Sequence, residues 1–385
     1  MNIAIIEKGH FEVAYTLLSI FDTGENKITV FIDRPSYHQL SILLQEKTSR
    51  YTWIIQGTES NRKFIQTLFN HIGSHHFDLL YFNTIADNFI QYAWHINNND
   101  PVKMIMNLHD VNGFFRYRFS WSIRRVVRYI GKRKLIRIIP CFNVLSATLF
   151  DHLRQKLPGE KKIFNLPGSF FNPAGFTGLE YHKQDAVKIT VPGSVDIRRR
   201  DYNLVFDLLQ EAAKNNVPVI VTLLGGFSKK FSGAVQSWCR QWLQTAGNLR
   251  IYETGPVEQD EFDRVMNDSH FIWMPLHSVV IVTDGTREEY GTSISSGNTG
   301  DVIRFARPSF APRHFKLESG LETSCCRYDN VAGLISLLKG LNTETYKELL
   351  TQAVIASGGY TIDKIIEKNK ALYQYLSGAL SSPDL

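Results

Sequence analysis

Residues 187–226 read VKITVPGSVDIRRRDYNLVFDLLQEAAKNNVPVIVTLLGG. The apolar run 187–191 predicts a strand, Pro192-Gly193-Ser194 a turn, and the amphipathic stretch 201–215 a helix. A second strand, 217–224, ends at the pair Gly225-Gly226. Continuous apolar strands separated by helices belong to a parallel sheet covered on both faces. Working outward, 249–252 and 270–274 predict two more strands. Upstream, strands are predicted at 2–6, 27–32, 51–55, 77–82, 102–107 and 141–146. Helical patterns fall at 10–21 and at 61–72, where Phe64, Ile65, Leu68 and Phe69 supply the apolar face. The turn-rich run LPGSFFNPAGFTG, residues 166–178, separates the two series. The expected architecture is α/β, two doubly wound Rossmann-like domains facing a central cleft. Their expected bounds are 1–175 and 176–350, with a C-terminal segment 351–385 beyond them. Ligands of such sheets bind past the carboxyl ends of the strands, so the expected site lies between the halves.

Composition narrows the class. Hydrophobic residues make up 43% of the 385, enough for a large core and too many for a disordered chain. The richest apolar run, 271–282, is broken by Pro275, His277 and Ser278, well short of the ~20 residues a spanning helix needs. The opening MNIAIIEKGH reads as a strand rather than a secretory leader. Cys141, Cys239, Cys325 and Cys326 lack the spacing of a zinc ribbon or disulfide scaffold, which fits a reducing cytoplasm. A cytoplasmic globular protein is the expectation. The net charge of +6 is modest, but its distribution is not. No acidic residue occurs between Asp110 and Asp151, a gap holding Arg116, Arg118, Arg124, Arg125, Arg128, Lys132, Arg133, Lys134 and Arg137. Such a stretch suits phosphates of nucleic acid, lipid headgroups or a phosphorylated substrate.

Several residues fall at strand ends. Gly9-His10 follows the first strand without a GxGxxG, which disfavours a dinucleotide dehydrogenase. His109-Asp110 follows the strand 102–107 and would either face the cleft or cap the next helix. Arg198-Arg199-Arg200 and Lys229-Lys230 follow two strands on one edge of the second sheet, where together they suit a diphosphate. The segment 287–308, REEYGTSISSGNTGDVIRFARP, packs Gly, Ser and Thr ahead of an apparent helix from Asp301. The amides and hydroxyls of Ser296, Asn298, Thr299 and Gly300 at that helix start would favour an anion. Asp301 would accept from ribose hydroxyls beside it.

In order and spacing, the second half resembles the donor-binding domain of GT-B glycosyltransferases, especially the retaining family-4-like enzymes. The matching pieces are Val191-Pro192-Gly193, Arg198 to Arg200, Leu223-Leu224-Gly225-Gly226, Thr254-Gly255-Pro256-Val257 and Glu288-Glu289-Tyr290-Gly291. In the first half, Val144-Leu145-Ser146 and Phe164-Asn165-Leu166-Pro167-Gly168 resemble the acceptor domain's last strands and hinge. Three departures stand out. The family's second glutamate, seven residues ahead of a proline, is here Asp301, before Pro308; the family's glycine near that proline is Ala306; and its strand-end arginine is Ser194. The loop between Gly291 and Asp301 is also longer than the family's.

The resemblance implies a nucleotide-diphosphate sugar as co-substrate, no bound metal or other cofactor, and retention of anomeric configuration. It implies donor contacts from Gly9, Gly193, Arg199, Arg200, Gly225, Lys229, Lys230, Ser296, Asn298, Thr299, Gly300 and Asp301. Glu288 or Glu289 would touch the transferred sugar, with His109 or Asp110 across the cleft. A last helix around 362–376 would cross back to the first half. The acceptor would be a glycan or lipid-linked molecule in bacterial surface polysaccharide or glycoconjugate synthesis. A sugar-nucleotide epimerase of the same fold and a basic nucleic-acid binder are the alternatives; nucleic acid is not the expected partner.

The basic stretch adds a location. If residues 114–137 form a helix, Trp121, Val127 and Ile130 share an apolar side that Arg124, Arg125, Arg128 and Lys132 flank or oppose. That pattern fits peripheral contact with an anionic membrane at the inner face of the cell membrane. It equally fits a helix packed on its own domain with a solvated basic face.

Overall fold

The computed structural model describes residues 1–96, 102–117, 119, 121–253, 255–282 and 285–378. Arg118, Ser120 and Thr254 of the segments above lie outside this set, as does the end of the C-terminal segment, 379–385. The first sheet holds β1 (Asn2–Glu7), β2 (Lys27–Asp33), β3 (Thr52–Gln56), β4 (Leu79–Phe82), β5 (Lys103–Asn107), β6 (Cys141–Asn143) and β7 (Lys162–Phe164). All are parallel, in the order β3-β2-β1-β4-β5-β6-β7. The second sheet begins with β8 (Val187–Pro192), β9 (Val219–Leu224), β10 (Leu249–Ile251) and β11 (Phe271–Trp273). An antiparallel hairpin of β12 (Val279–Ile281) and β13 (Arg287–Glu289) follows, and β14 (Ser309–Pro312) and β15 (Cys325–Tyr328) complete the sheet as β10-β9-β8-β11-β14-β15. Strand order reverses between β1 and β4 in the first sheet and between β8 and β11 in the second. Each reversal opens a crevice at the carboxyl edge.

The strands are apolar because both faces are covered: Ile3, Ile5, Val30 and Ile105 are fully buried in one sheet, and Val221, Phe271 and Trp273 in the other. Three kinds of element escape the apolar-run reading. The strands β7, β14 and β15 are short or carry polar residues, the hairpin strand β12 merges with the preceding run, and helix Arg34–Leu44 buries only Ser36, Gln39, Leu40 and Leu44.

The chain passes between the sheets twice. Residues 165–186 lead to β8, and after helix Thr343–Gly358 the chain returns to the first sheet. There helices Ile362–Lys368 and Lys370–Ser377 bury Ile365, Leu372 and Leu376 in the same core as Ile3, Ile5 and Leu17. Lys103 Nζ donates to the carbonyl of Leu376 at 2.5 Å. The two passages touch where Phe171 N–H donates to Tyr360 O at 3.0 Å. The Tyr360 hydroxyl donates to Glu318 Oε2, and Glu318 Oε1 accepts from the Ala147 amide at 3.0 Å.

Helix Gly297–Phe305 ends at Ala306, whose φ of 48° and ψ of 46° lie in the left-handed region. An L-residue with a Cβ is held there at about 1–2 kcal/mol of steric cost. Glycine would relieve that cost and give back ~0.4–1 kcal/mol through greater freedom of the unfolded chain. Ala306→Gly should therefore stabilise the protein by about 0.5–1 kcal/mol, read as a raised urea-unfolding midpoint. A lowered midpoint would show that the buried methyl, not the backbone, governs this position.

Candidate active site

The first sheet ends each central strand on a polar residue. Glu7 closes β1, Asn107 β5 and Asn143 β6, while Asn83 follows β4; all four are buried. They bond in series. Glu7 accepts from Asn83 Nδ2, Asn107 Nδ2 donates to Asn83 Oδ1 at 2.5 Å, and Asn143 Nδ2 donates to Asn107 Oδ1 at 2.6 Å. Asn143 Oδ1 then takes the amide of Leu166 at 2.6 Å. Glu7 also accepts from the His10 amide and, at 3.0 Å, from Thr84 Oγ1. Burial nevertheless lifts its carboxyl to about 8, against these donors. The row absorbs polar groups that the carboxyl edge would otherwise leave unpaired inside the protein.

This edge carries a histidine pair. Gly9, at φ 112°, turns the chain from β1 into the helix Phe11–Phe21 and presents His10 at its start. The His10 ring stacks on His109 with centroids 4.3 Å apart and planes at 16°. His109 Nε2 is 2.9 Å from the carbonyl of Asn83, so Nε2 carries the proton and Nδ1 the lone pair in the neutral ring. Burial lowers both pKa values; His10 falls to about 3, with His109 and Arg199 adding to the shift. Two neutral rings can stack at this distance without charge repulsion. Asp110 has another role. Its carboxylate is 3.8 Å from the buried ammonium of Lys132, and its backbone bridges Ile294 of the second domain.

Across the cleft, glycines bring three strand ends together. A Cβ on Gly225 would lie 2.4 Å from Gly193 O, and one on Gly226 2.1 Å from Gly255 O. Gly193 itself has φ 93°. The three arginines divide by role. Arg198 is bidentate to Asp196 and lies 3.5 Å over the Phe231 ring. Arg200 is buried, donating to Ser194 O at 3.0 Å, Pro192 O at 2.6 Å and Asn298 Oδ1 at 3.2 Å. Its guanidinium stabilises the turn after β8 and has few donors left for a ligand. Arg199 is exposed, pairs with no described side chain, and its charge reaches His10 and Tyr290. Lys229 and Lys230 are exposed on the loop after β9.

Ser296 caps helix Gly297–Phe305, its hydroxyl accepting from the Asn298 amide at 3.3 Å. Asn298 turns inward to Pro192 O and to Asp301 Oδ2, 3.0 and 3.1 Å away. Gly300 packs against Ser169 of the passage between sheets, and Thr299 is half-buried. The helix therefore begins one turn earlier than Asp301, with Asp301 on its cleft side. Burial raises Asp301 to about 6, Asn298 and the Arg304 and Arg200 charges opposing. Opposite it, Glu12 keeps an exposed side chain, as a cleft wall requires, while the enclosing walls strip part of its hydration and, with the Asp301 charge, raise its carboxyl to about 7.

Strand alternation separates the two glutamates of β13. Glu288 is fully buried, and its Oε1 accepts from the Gly113 amide of the first domain at 2.8 Å. Its Oε2 makes no well-formed hydrogen bond. Burial raises the group to about 7, with the Ser293 hydroxyl and Gly113 amide opposing and Asp110 reinforcing. Glu289 points outward and is exposed. The loop after Gly291 is used at the domain interface, where Val111 N–H donates to Ser293 O at 2.8 Å. A hollow of about 740 Å³ opens between the domains beside this loop, with His152, Thr292 and Lys316 in its wall.

No family model matches the chain, and no curated protein matches it in sequence. Solved structures do match. Sucrose-phosphate synthase from Thermosynechococcus elongatus superposes with a TM-score of 0.63 at 12% identity, covering 98% of this chain and 100% of that one. Anabaena HepE in complex with UDP gives 0.62 at 12%, covering 98% and 100%. The fold is GT-B. A Listeria monocytogenes protein described as a UDP-N-acetylglucosamine 2-epimerase gives 0.59 at 13%, covering 99% and 97%. At these identities the likeness is one of fold, and the reaction has to be argued from the residues.

The facing carboxyls make a pH prediction. Glu12 and Asp301 both titrate above their unfolded values, so between about pH 4 and about pH 7 the folded protein holds protons that the unfolded chain has released. Their contribution to stability is therefore lost as pH rises through that window. Asp301→Asn should flatten this fall and raise the unfolding midpoint near neutral pH relative to the parent. An identical pH profile in parent and variant would place Asp301 in water rather than in the cleft wall.

Proposed function

We propose that this protein is a glycosyltransferase that moves a sugar from a nucleotide-diphosphate donor to a glycan or lipid-linked acceptor. One observation carries the reading: Arg199, the Lys229-Lys230 loop and the cleft side of helix Gly297–Phe305 lie on the carboxyl edge of the second sheet, opposite Gly9, His10 and Glu12. The exposed cations Arg199, Lys229 and Lys230 would take the diphosphate, whose leaving charge is the main cost of the reaction. The start of helix Gly297–Phe305 adds its amides. Asp301 would accept from the ribose hydroxyls.

The first sheet would supply the acceptor side. His109, neutral and fixed through Nε2, keeps Nδ1 as an acceptor near the cleft, while Glu288, buried and raised, would hold or release a proton close to the transferred sugar. Retention, metal independence and a role in bacterial surface polysaccharide synthesis, in the cytoplasm, complete the reading and follow from the resemblance. Support for an epimerase comes from the likeness to the Listeria protein. Incubation with nucleotide sugars alone separates the two, because epimerisation without an acceptor would sink the transferase reading.

A thermal-shift panel of nucleoside diphosphates tests the donor site, since a ligand bound only to the native state raises its stability. Asp301→Ala should weaken nucleoside diphosphate binding by roughly 1.5–3 kcal/mol, the worth of hydrogen bonds to a charged group. Replacing Arg199, Lys229 and Lys230 with glutamine should cost diphosphate binding much more than nucleoside binding. Equal losses for both ligands would point away from a diphosphate site. Arg200→Gln should instead lower the unfolding midpoint, because it empties the turn after β8.

A further inference from the structure

Helix Ile123–Ile138 carries apolar residues on its solvent side as well as on the side it buries. At helical spacing its outward face carries Ile123, Val127, Ile130, Lys134 and Arg137, all exposed. The inward face seats Leu135 and Ile136 in the core and holds two cations beside them. Lys132, only 2% exposed, lies over the rings of Phe89 and Phe114 and beside Asp110. Arg128 sits 4.9 Å over the Phe89 ring and donates to Ala86 O at 2.9 Å. These two residues, expected on the membrane-facing side, are therefore bound to the protein's own aromatic rings. Gly131 fixes the arrangement, for a Cβ there would lie 2.3 Å from the Ile90 amide nitrogen. The helix cannot roll to hide its apolar side.

The segment leading into the helix extends the apolar face. Phe119 is 70% exposed, Trp121 91% and Ile123 80%, with the Phe119 and Trp121 rings edge to face at 5.2 Å. Arg124 and Arg125 are exposed alongside, and the next acidic residue in either direction is Asp110 or Asp151. Large apolar side chains held in water beside unpaired cations are costly unless something covers them. The cover must be apolar at depth and negative at its surface. Phe119 and Trp121 could stack on bases, but aliphatic Ile123, Val127 and Ile130 continue the face with no ring, so an acyl layer covers the whole of it and a nucleic acid only its end.

We propose that this face docks on an anionic lipid bilayer, with Phe119, Trp121 and Ile123 entering the headgroup layer and Arg124, Arg125, Lys134 and Arg137 meeting lipid phosphates. The docked helix is tied to the cleft by the Lys132–Asp110 contact and by the short stretch from Gly113, which bonds Glu288. Docking would hold the interdomain cleft close to the leaflet. The proposal is independent of the donor reading, because vesicle binding can be measured without nucleotide or activity.

Co-sedimentation with vesicles of phosphatidylcholine, alone or mixed with phosphatidylglycerol, tests it. The full-length protein should sediment only with the anionic vesicles and be released by salt. Trp121→Ser with Ile123→Ser, and separately Arg124→Gln with Arg125→Gln, should each weaken binding by roughly tenfold or more. Arg128→Gln, on the inward side, should bind vesicles like the parent when circular dichroism shows it folded. Absence of parent binding to anionic vesicles at low salt would overturn the proposal. So would an equal loss in the folded Arg128 variant, or binding to a single-stranded oligonucleotide in place of vesicles.

Discussion

The buried row Glu7–Asn83–Asn107–Asn143 is the constraint on which the cleft depends. Parallel strands all deliver their carboxyl ends to one edge, where backbone and side-chain groups face inward with few partners. Here the partners are side chains of neighbouring strands, each bonded to the next, ending at the Leu166 amide as the chain leaves the sheet. The row sets the height of the loops above it. Gly9, His10 and Asn83 are placed by Glu7, and the His109 ring is held in turn by the carbonyl of Asn83. A polar network of this kind stabilises one arrangement only when every member is satisfied.

The second sheet solves the same problem by removing side chains. At Gly225 and Gly226 the backbone comes closer to Gly193 and Gly255 than any Cβ would permit, and Arg200 fills the space over Gly193 with donors for the exposed carbonyls. One wall of the cleft is thus built of asparagines and the other of glycines. Between them runs the 290–296 loop. It pairs with Val111 and Asp110, so the second domain grips the first beside the residues that carry the chemistry.

Alternating apolar strands and amphipathic helices made both sheets legible, because burial on two faces forces long uninterrupted apolar runs. The strands β14 and β15 were not, since SFAP and CCRY are too short and too polar for that signal. In the site, glycine pairs and arginine clusters marked the strand ends, but spacing alone could not tell the solvent-facing Arg199 from the buried Arg200. Nor could it choose between Glu288 and Glu289, which only the pairing of β12 with β13 assigns to opposite faces. The asparagine row does have a sign in the sequence: IIE, YFN, IMN and CFN each close an apolar run with a polar residue. In the basic helix charge does not mark exposure. Lys132 and Arg128 have long apolar stems and can lie over aromatic rings, whereas Ile123 and Val127 were free to face out.

The double passage between the sheets bears on how the cleft can move. Both connecting strands meet at Phe171 and Tyr360, and Tyr360 is fastened through Glu318 to the Ala147 amide. Two bodies joined by a pair of straps that touch at one place behave like covers on a spine. They can swing apart about that line, but sliding or twisting would tear one strap from the other. The straps therefore fix the height of one wall against the other, and any change in their separation has to break the bonds of Val111 to Ser293 and of Gly113 to Glu288.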